Sequence, residues 1–117
     1  MEKIPKQGPA IILLHHAKAP VDAFFFLSRI FLEMDRKVVT IVDRNNQKMP
    51  GYEIFAEALE HSPGTIEWCV ETIENGDLLA IYPGGTDEAM LTDTYKVLWR
   101  DNAGFAKIAL QTKAVKC

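Results

Sequence analysis

Three short, mostly apolar runs punctuate the chain: Ala10 to Leu14, Lys37 to Val42 and Leu78 to Tyr82. Runs of this length, rich in Ile, Val and Leu and lacking strict polar alternation, are the pattern of strands buried on both faces. Between them apolar residues return every three or four positions, the period of a helix with one buried side. From Ala19 to Met34, Phe24, Phe26, Leu27, Ile30, Phe31 and Met34 form a wide apolar face, while Asp22, Arg29, Glu33 and Arg36 draw one polar stripe. This predicts a core helix, with partial insertion at a lipid interface as the alternative. Pro50-Gly51 opens a segment in which Ile54, Phe55, Ala58 and Leu59 share a face and Glu53, Glu57 and Glu60 point to water. Ser62 then serves as an N-cap with Pro63 at the first helical position; Ile66, Cys69, Val70 and Ile73 make one buried stripe, and Gly76 fits the C′ position. A last helix is expected from about Ala103 to Thr112.

Strands alternating with helices call for parallel pairing through right-handed crossovers. The expected class is therefore α/β, a mostly parallel sheet with helices packed on it. At 117 residues the chain supports one domain with a single core.

Composition narrows the partners. A formal net charge of −3 gives no electrostatic footprint for nucleic acid and no polybasic attraction to a membrane. Cys69 and Cys117 form neither a metal cluster nor a disulfide framework, which favours a reducing compartment. No run of about 18 apolar residues is present, so no transmembrane segment is expected in this chain. The first residues, Met-Glu-Lys-Ile-Pro-Lys-Gln-Gly-Pro, lack the apolar centre of a signal peptide.

In such sheets ligands bind where loops leave the carboxyl ends of strands. Two loops qualify: His15-His16-Ala-Lys-Ala-Pro20, and Tyr82-Pro83-Gly84-Gly85-Thr86-Asp87-Glu88. Pro20 is preset for the first turn of a helix, which places Asp22 near backbone N–H groups and the positive dipole end that favour a carboxylate. With His16 on the loop, Asp22 can hold one ring nitrogen and leave the other to take a proton. His15 is expected to be the inert neighbour, because alternation along a strand sends adjacent side chains to opposite faces. The plainer alternative makes the histidines polar punctuation and Asp22 a helix-end charge. Neither Ser28 nor Ser62 lies in a G-x-S-x-G elbow, so the nucleophile falls to a hydroxyl brought by the substrate. Gly84 and Gly85 allow close backbone approach to an anion or thioester carbonyl, although a Pro-Gly-Gly turn is ordinary by itself. The lysine and hydroxyl of a P-loop are missing.

Taken in order, these blocks resemble the phospholipid/glycerol acyltransferase family, in the branch typified by transmembrane protein 68, with a more distant likeness to the type 2 diacylglycerol acyltransferases. The first block is His16, five residues, then Asp22, with Pro20 two before it and aromatics after it. The second is Lys48-Met49-Pro50-Gly51, and the third Tyr82-Pro83-Gly84-Gly85-Thr86-Asp87-Glu88. Tyr95 to Lys107 also looks like the branch. The resemblance implies acyl transfer from acyl-CoA, as substrate, to a glycerolipid hydroxyl, with no metal or redox cofactor. It makes His16 and Asp22 the catalytic pair, and Pro83, Gly84, Gly85, Thr86, Glu88, Pro50 and Gly51 the substrate-binding positions. It implies a membrane surface as partner, at the cytosolic face of the endoplasmic reticulum, and no nucleic acid. Many members carry arginine where this chain has Asp87, so a neutral mono- or diacylglycerol is the expected acceptor.

By the same resemblance, residues 1–9 are an N-terminal tail and residues 10–117 the N-terminal part of an acyltransferase domain. Members bear hydrophobic segments upstream and a further apolar strand downstream. The chain thus looks truncated, with a bare sheet edge expected and activity impaired. A catalytically inactive fragment that binds a partner or a lipid surface is the alternative.

Overall fold

Strands β1 (Ala10–Leu13), β2 (Val38–Ile41), β3 (His61–Ser62), β4 (Leu78–Ile81) and β5 (Val115–Lys116) form one sheet, ordered β3-β2-β4-β1-β5. They belong to a computed structural model that describes residues 2–15, 21–41, 50–51, 53–54, 61–62, 65–91, 97, 99 and 103–116. Every pairing is parallel, as the alternating order of elements predicts. Apart from Thr40, the strands β2, β4 and β1 are apolar, as suits a sheet covered by helices on both faces.

Helix α1 (Val21–Met34) packs on one face. Ala10, Ile12, Leu78 and Ala80 meet Ile30 there, with Phe26, Leu27 and Met34 at the margin. Helices α2 (Ile66–Glu74) and α4 (Gly104–Thr112) cover the other face, where Ile11, Val39 and Leu79 meet Cys69, Val70, Ile73, Ile108 and Ala109. Helix α3 (Gly85–Leu91) follows β4 directly.

Four sequence expectations need correction. Phe24 and Phe31, assigned to the buried face of α1, are exposed; the strip that packs inward carries Ala23 and, two turns on, Ile30. α2 starts at Ile66, not at Pro63. Thr65 is the residue with extended backbone at the helix start, and its hydroxyl accepts from the Trp68 N–H at 3.2 Å, whereas Ser62 pairs with Ile41 in the sheet. The Pro-Gly-Gly stretch turns directly into a helix: Gly85 N–H bonds to Tyr82 O and Glu88 N–H to Gly84 O, so Glu88 is helical. The edge of β1 is also not bare along its length, since Lys113, left-handed at φ 55°, ends α4 and β5 pairs with Ala10 and Ile11.

The stop at Gly76 is as expected, with φ +89° and its N–H bonded to Ile73 O. Arg29 and Glu33 of the polar stripe form an i,i+4 ion pair at 2.7 Å. Arg36, just past α1, reaches further than its stripe suggested, donating to the carbonyls of Pro5, Gly8 and Gly76 at 2.6–3.0 Å. Phe55, Ala58 and Leu59 of the segment after Pro50-Gly51 lie outside the described residues, and Ile54 is exposed. No helix among the described residues is long and apolar enough to cross a membrane.

Candidate active site

Parallel neighbours in register deliver their following loops to the same place. Leu13 pairs with Ile81, and the Leu14 N–H continues the ladder to Ile81 O at 2.9 Å, so the chain leaving β1 and the chain leaving β4 emerge side by side. Leu14 after β1 and Tyr82 of the third block therefore stand at the same carboxyl edge.

Asp22 lies in the first turn of α1, where its Oδ1 accepts from the Ala23 N–H at 3.0 Å. Its charge also reaches Tyr82, one residue past β4. Burial first, and then the Asp22 carboxylate, push the Tyr82 phenol up to about 12, because both disfavour a second negative charge at that spot. His16 and the residues through Pro20 lie outside the described residues, so Asp22 is the described half of the expected dyad.

His15 is not inert punctuation. Its Nε2 stands 3.6 Å from Oε1 of Glu88, an ion-pair separation longer than a hydrogen bond. Glu88 is fully buried. Its side chain folds over Gly84 so closely that a Cβ at Gly84 would fall within 2.5 Å of the carboxyl carbon and Oε2. Gly84 thus leaves the space Glu88 occupies, whereas Gly85 adopts a left-handed φ of +53° with open space around it. Pro83 is buried and Thr86 belongs to α3. Pro50 and Gly51 form an exposed turn, with Gly51 at φ +80° and its carbonyl accepting from the Ile54 N–H.

Two neighbours escaped the sequence reading. Tyr82 beside Asp22 follows from the β1–β4 register, which a single sequence does not display. The His15–Glu88 contact depends on α3, and its one visible signal is the four-residue spacing of Gly84 and Glu88, one helical turn.

Beside the edge runs a groove of about 670 Å³ between the N-terminal tail, β1 and α1. Ile4, Ile12, Leu13, Leu14 and Phe26 give it apolar lining, and the charged Glu2, Lys3, Arg29 and Glu33 line the rest. Among the described residues, no three His, Cys, Asp or Glu side chains gather as a metal site.

Comparison with known proteins fits this geometry. The family model described as Acyltransferase matches residues 1–116. The chain is 39% identical over 114 residues to a Bos taurus protein named "DGAT1/2-independent enzyme synthesizing storage lipids", covering 97% of this chain and 34% of that protein. The Homo sapiens protein of the same name is 39% identical over 114 residues, 97% of this chain and 35% of its own length. For the Gallus gallus protein the identity is 37% over 113 residues, 96% and 34%. This chain therefore spans about a third of the length of the curated relatives it matches. No solved structure matches it significantly.

Proposed function

Because the chain belongs to the acyltransferase family, we propose that its carboxyl edge is an acyl-transfer site that moves a fatty acyl group from acyl-CoA to a neutral glycerolipid hydroxyl. The observation that supports this most is that the chain leaving β1 and the chain leaving β4 emerge side by side, with Asp22 in the first turn of α1 near enough for its charge to act on Tyr82.

The chemistry follows from the residue types. The imidazole of His16 takes the proton of the acceptor hydroxyl as its oxygen attacks the thioester carbonyl, forming the new C–O bond. Asp22 orients the ring and stabilises its protonated form. The tetrahedral centre collapses, the C–S bond breaks, and the departing thiolate receives the proton from the imidazolium. Ester and free CoA result, with no covalent enzyme intermediate, in keeping with the missing serine elbow. The Pro83-Gly84-Gly85 turn helps to hold the acceptor or the thioester region, and the Pro50–Gly51 turn contributes to substrate binding. The apolar groove beginning at Leu13 and Leu14 suits an alkyl chain leading away from the reacting carbonyl.

Asp87, where many family members carry arginine, repels a phosphate and favours a mono- or diacylglycerol acceptor. The lipid is reached at a membrane surface, by resemblance the cytosolic face of the endoplasmic reticulum. The exposed side chains of Val21, Phe24, Phe25, Phe31 and Leu32 on α1 give it apolar contact. Offering labelled acyl-CoA with monoacylglycerol and with lysophosphatidate in parallel tests the acceptor. Esterification of monoacylglycerol is expected to dominate, and preference for the phosphate substrate defeats the assignment.

The second reading is a non-catalytic lipid-binding role, favoured by the same exposed stripe. Vesicle binding without transfer to any acceptor selects it.

A further inference from the structure

We propose that Glu88 is a positioning residue of this site: its buried carboxyl group holds the His15 imidazole and so fixes the start of the loop that carries His16. The inference rests on the acyl-transfer reading and adds to it a second acid–imidazole pair beside the expected one.

Burial makes the argument. A carboxyl group with no solvent exposure is costly to place unless other groups satisfy it. The His15 Nε2, 3.6 Å from Oε1 and within ion-pair range, is one group this carboxyl faces. The fold also makes room for the arrangement at the expense of a side chain, since any residue larger than glycine at position 84 would collide with the Glu88 side chain. The Glu88 N–H bonds to Gly84 O, so the backbone that leaves this space also anchors the turn from which Glu88 projects.

Geometry extends the consequence. His15 follows directly on the last ladder bond from β1, Leu14 N–H to Ile81 O. Held there by Glu88, His15 pins the peptide from which His16 departs to α3. One contact thus joins the end of β1, the turn after β4 and the first turns of α3, the three pieces that must keep fixed relative positions if His16 and the glycine turn are to act on one substrate. Asp22 and Tyr82 also lie at this edge.

The test uses the full chain with Glu88→Gln, His15→Gln, the double variant, and Gly84→Ala, which displaces the carboxyl group without removing it. Two readouts are taken. In urea unfolding, the double variant is expected to lose no more than the more damaged single variant; strictly additive losses overturn the pair, whether or not the chain transfers acyl groups. In the transfer assay with monoacylglycerol, Glu88→Gln and Gly84→Ala are each expected to lower kcat on the order of 10- to 100-fold with KM little changed. Unaltered kcat in Glu88→Gln, or a loss confined to KM, overturns the positioning role. A wild-type chain with no transfer activity removes the acyl-transfer reading and the positioning role with it, while the unfolding cycle still decides the pair.

Discussion

The two faces of the sheet are covered unequally. On one, α2 and α4 together bury Cys69, Val70, Ile73, Ile108 and Ala109 against Ile11, Val39 and Leu79. On the other, α1 works with Ile4 from the N-terminal tail and buries only Ala23 and Ile30 of its fourteen residues. The first face is a packed core whose helices turn few large apolar groups outward. The second is a thin cover whose outer side shows Phe25 at 70% and Leu32 at 78% exposure. The difference teaches that α1 stabilises the fold with one narrow strip and leaves a second apolar strip for another task. The same helix begins at Asp22, so the strip assigned to the lipid surface and the acid of the proposed dyad are carried on one rigid element.

The largest effect that sharpens this contrast is a pair of truncations. Ile73→Ala removes a fully buried side chain and is expected to cost about 2–5 kcal/mol in urea unfolding. Leu32→Ala is expected to stay within about 0.5 kcal/mol, because its side chain leaves water neither before nor after folding. Equal losses would break the distinction between the faces.

Much of this fold is legible in the sequence. Mostly apolar runs place β1, β2 and β4 within a residue of their ends, and alternation with helices implies their parallel pairing. Which side of α1 packs is not legible: Phe24 and Phe31 have the same period as Ile30, and periodicity alone does not choose between two apolar strips on one helix. α3 was hidden by Pro83, Gly84 and Gly85, which announce a turn without revealing that a helix starts inside it. The two-residue strand β3 is too short to leave a pattern. At the site, the His16–Asp22 spacing and the glycine turn stand out as motifs. The Asp22–Tyr82 and His15–Glu88 pairings do not, although Tyr82 and Glu88 both belong to the third block, because strand register and a helical turn make those neighbours.

A smaller effect is expected at the opposite edge of the sheet, where Arg36 links the tail over the α1 face, through Pro5 and Gly8, to Gly76 at the end of α2. Arg36→Ala leaves three carbonyls without this donor and is expected to cost about 1–3 kcal/mol. Proteolysis within the first nine residues should become faster in that variant. An unchanged cleavage rate would mean that Arg36 does not hold the tail.

The smallest effects lie in alkali and separate the two-helix face from the site edge. Burial pushes the Cys69 thiol from 9.0 up to about 11, and the Tyr82 phenol rises from 10.0 to about 12. Both groups hold their proton more tightly folded than unfolded, so their contribution to stability is complete below the unfolded values and is lost as pH rises through the folded ones. Stability should therefore decline from pH 9.0 to about 11 through Cys69 and from pH 10.0 to about 12 through Tyr82. Cys69→Ala should flatten the first window and Tyr82→Phe the second, read as urea midpoints against pH. A decline indifferent to both substitutions would contradict the assigned environments.

The central claim is that an imidazole at position 16, oriented by Asp22 at the carboxyl edge of a parallel sheet, deprotonates a lipid hydroxyl for acyl transfer. Its most direct test is the initial rate of ester formation from labelled acyl-CoA and monoacylglycerol by the wild-type chain and by His16→Ala. A loss on the order of 10²- to 10⁴-fold in kcat is the predicted result for a general base. Equal turnover by the two proteins would contradict the account.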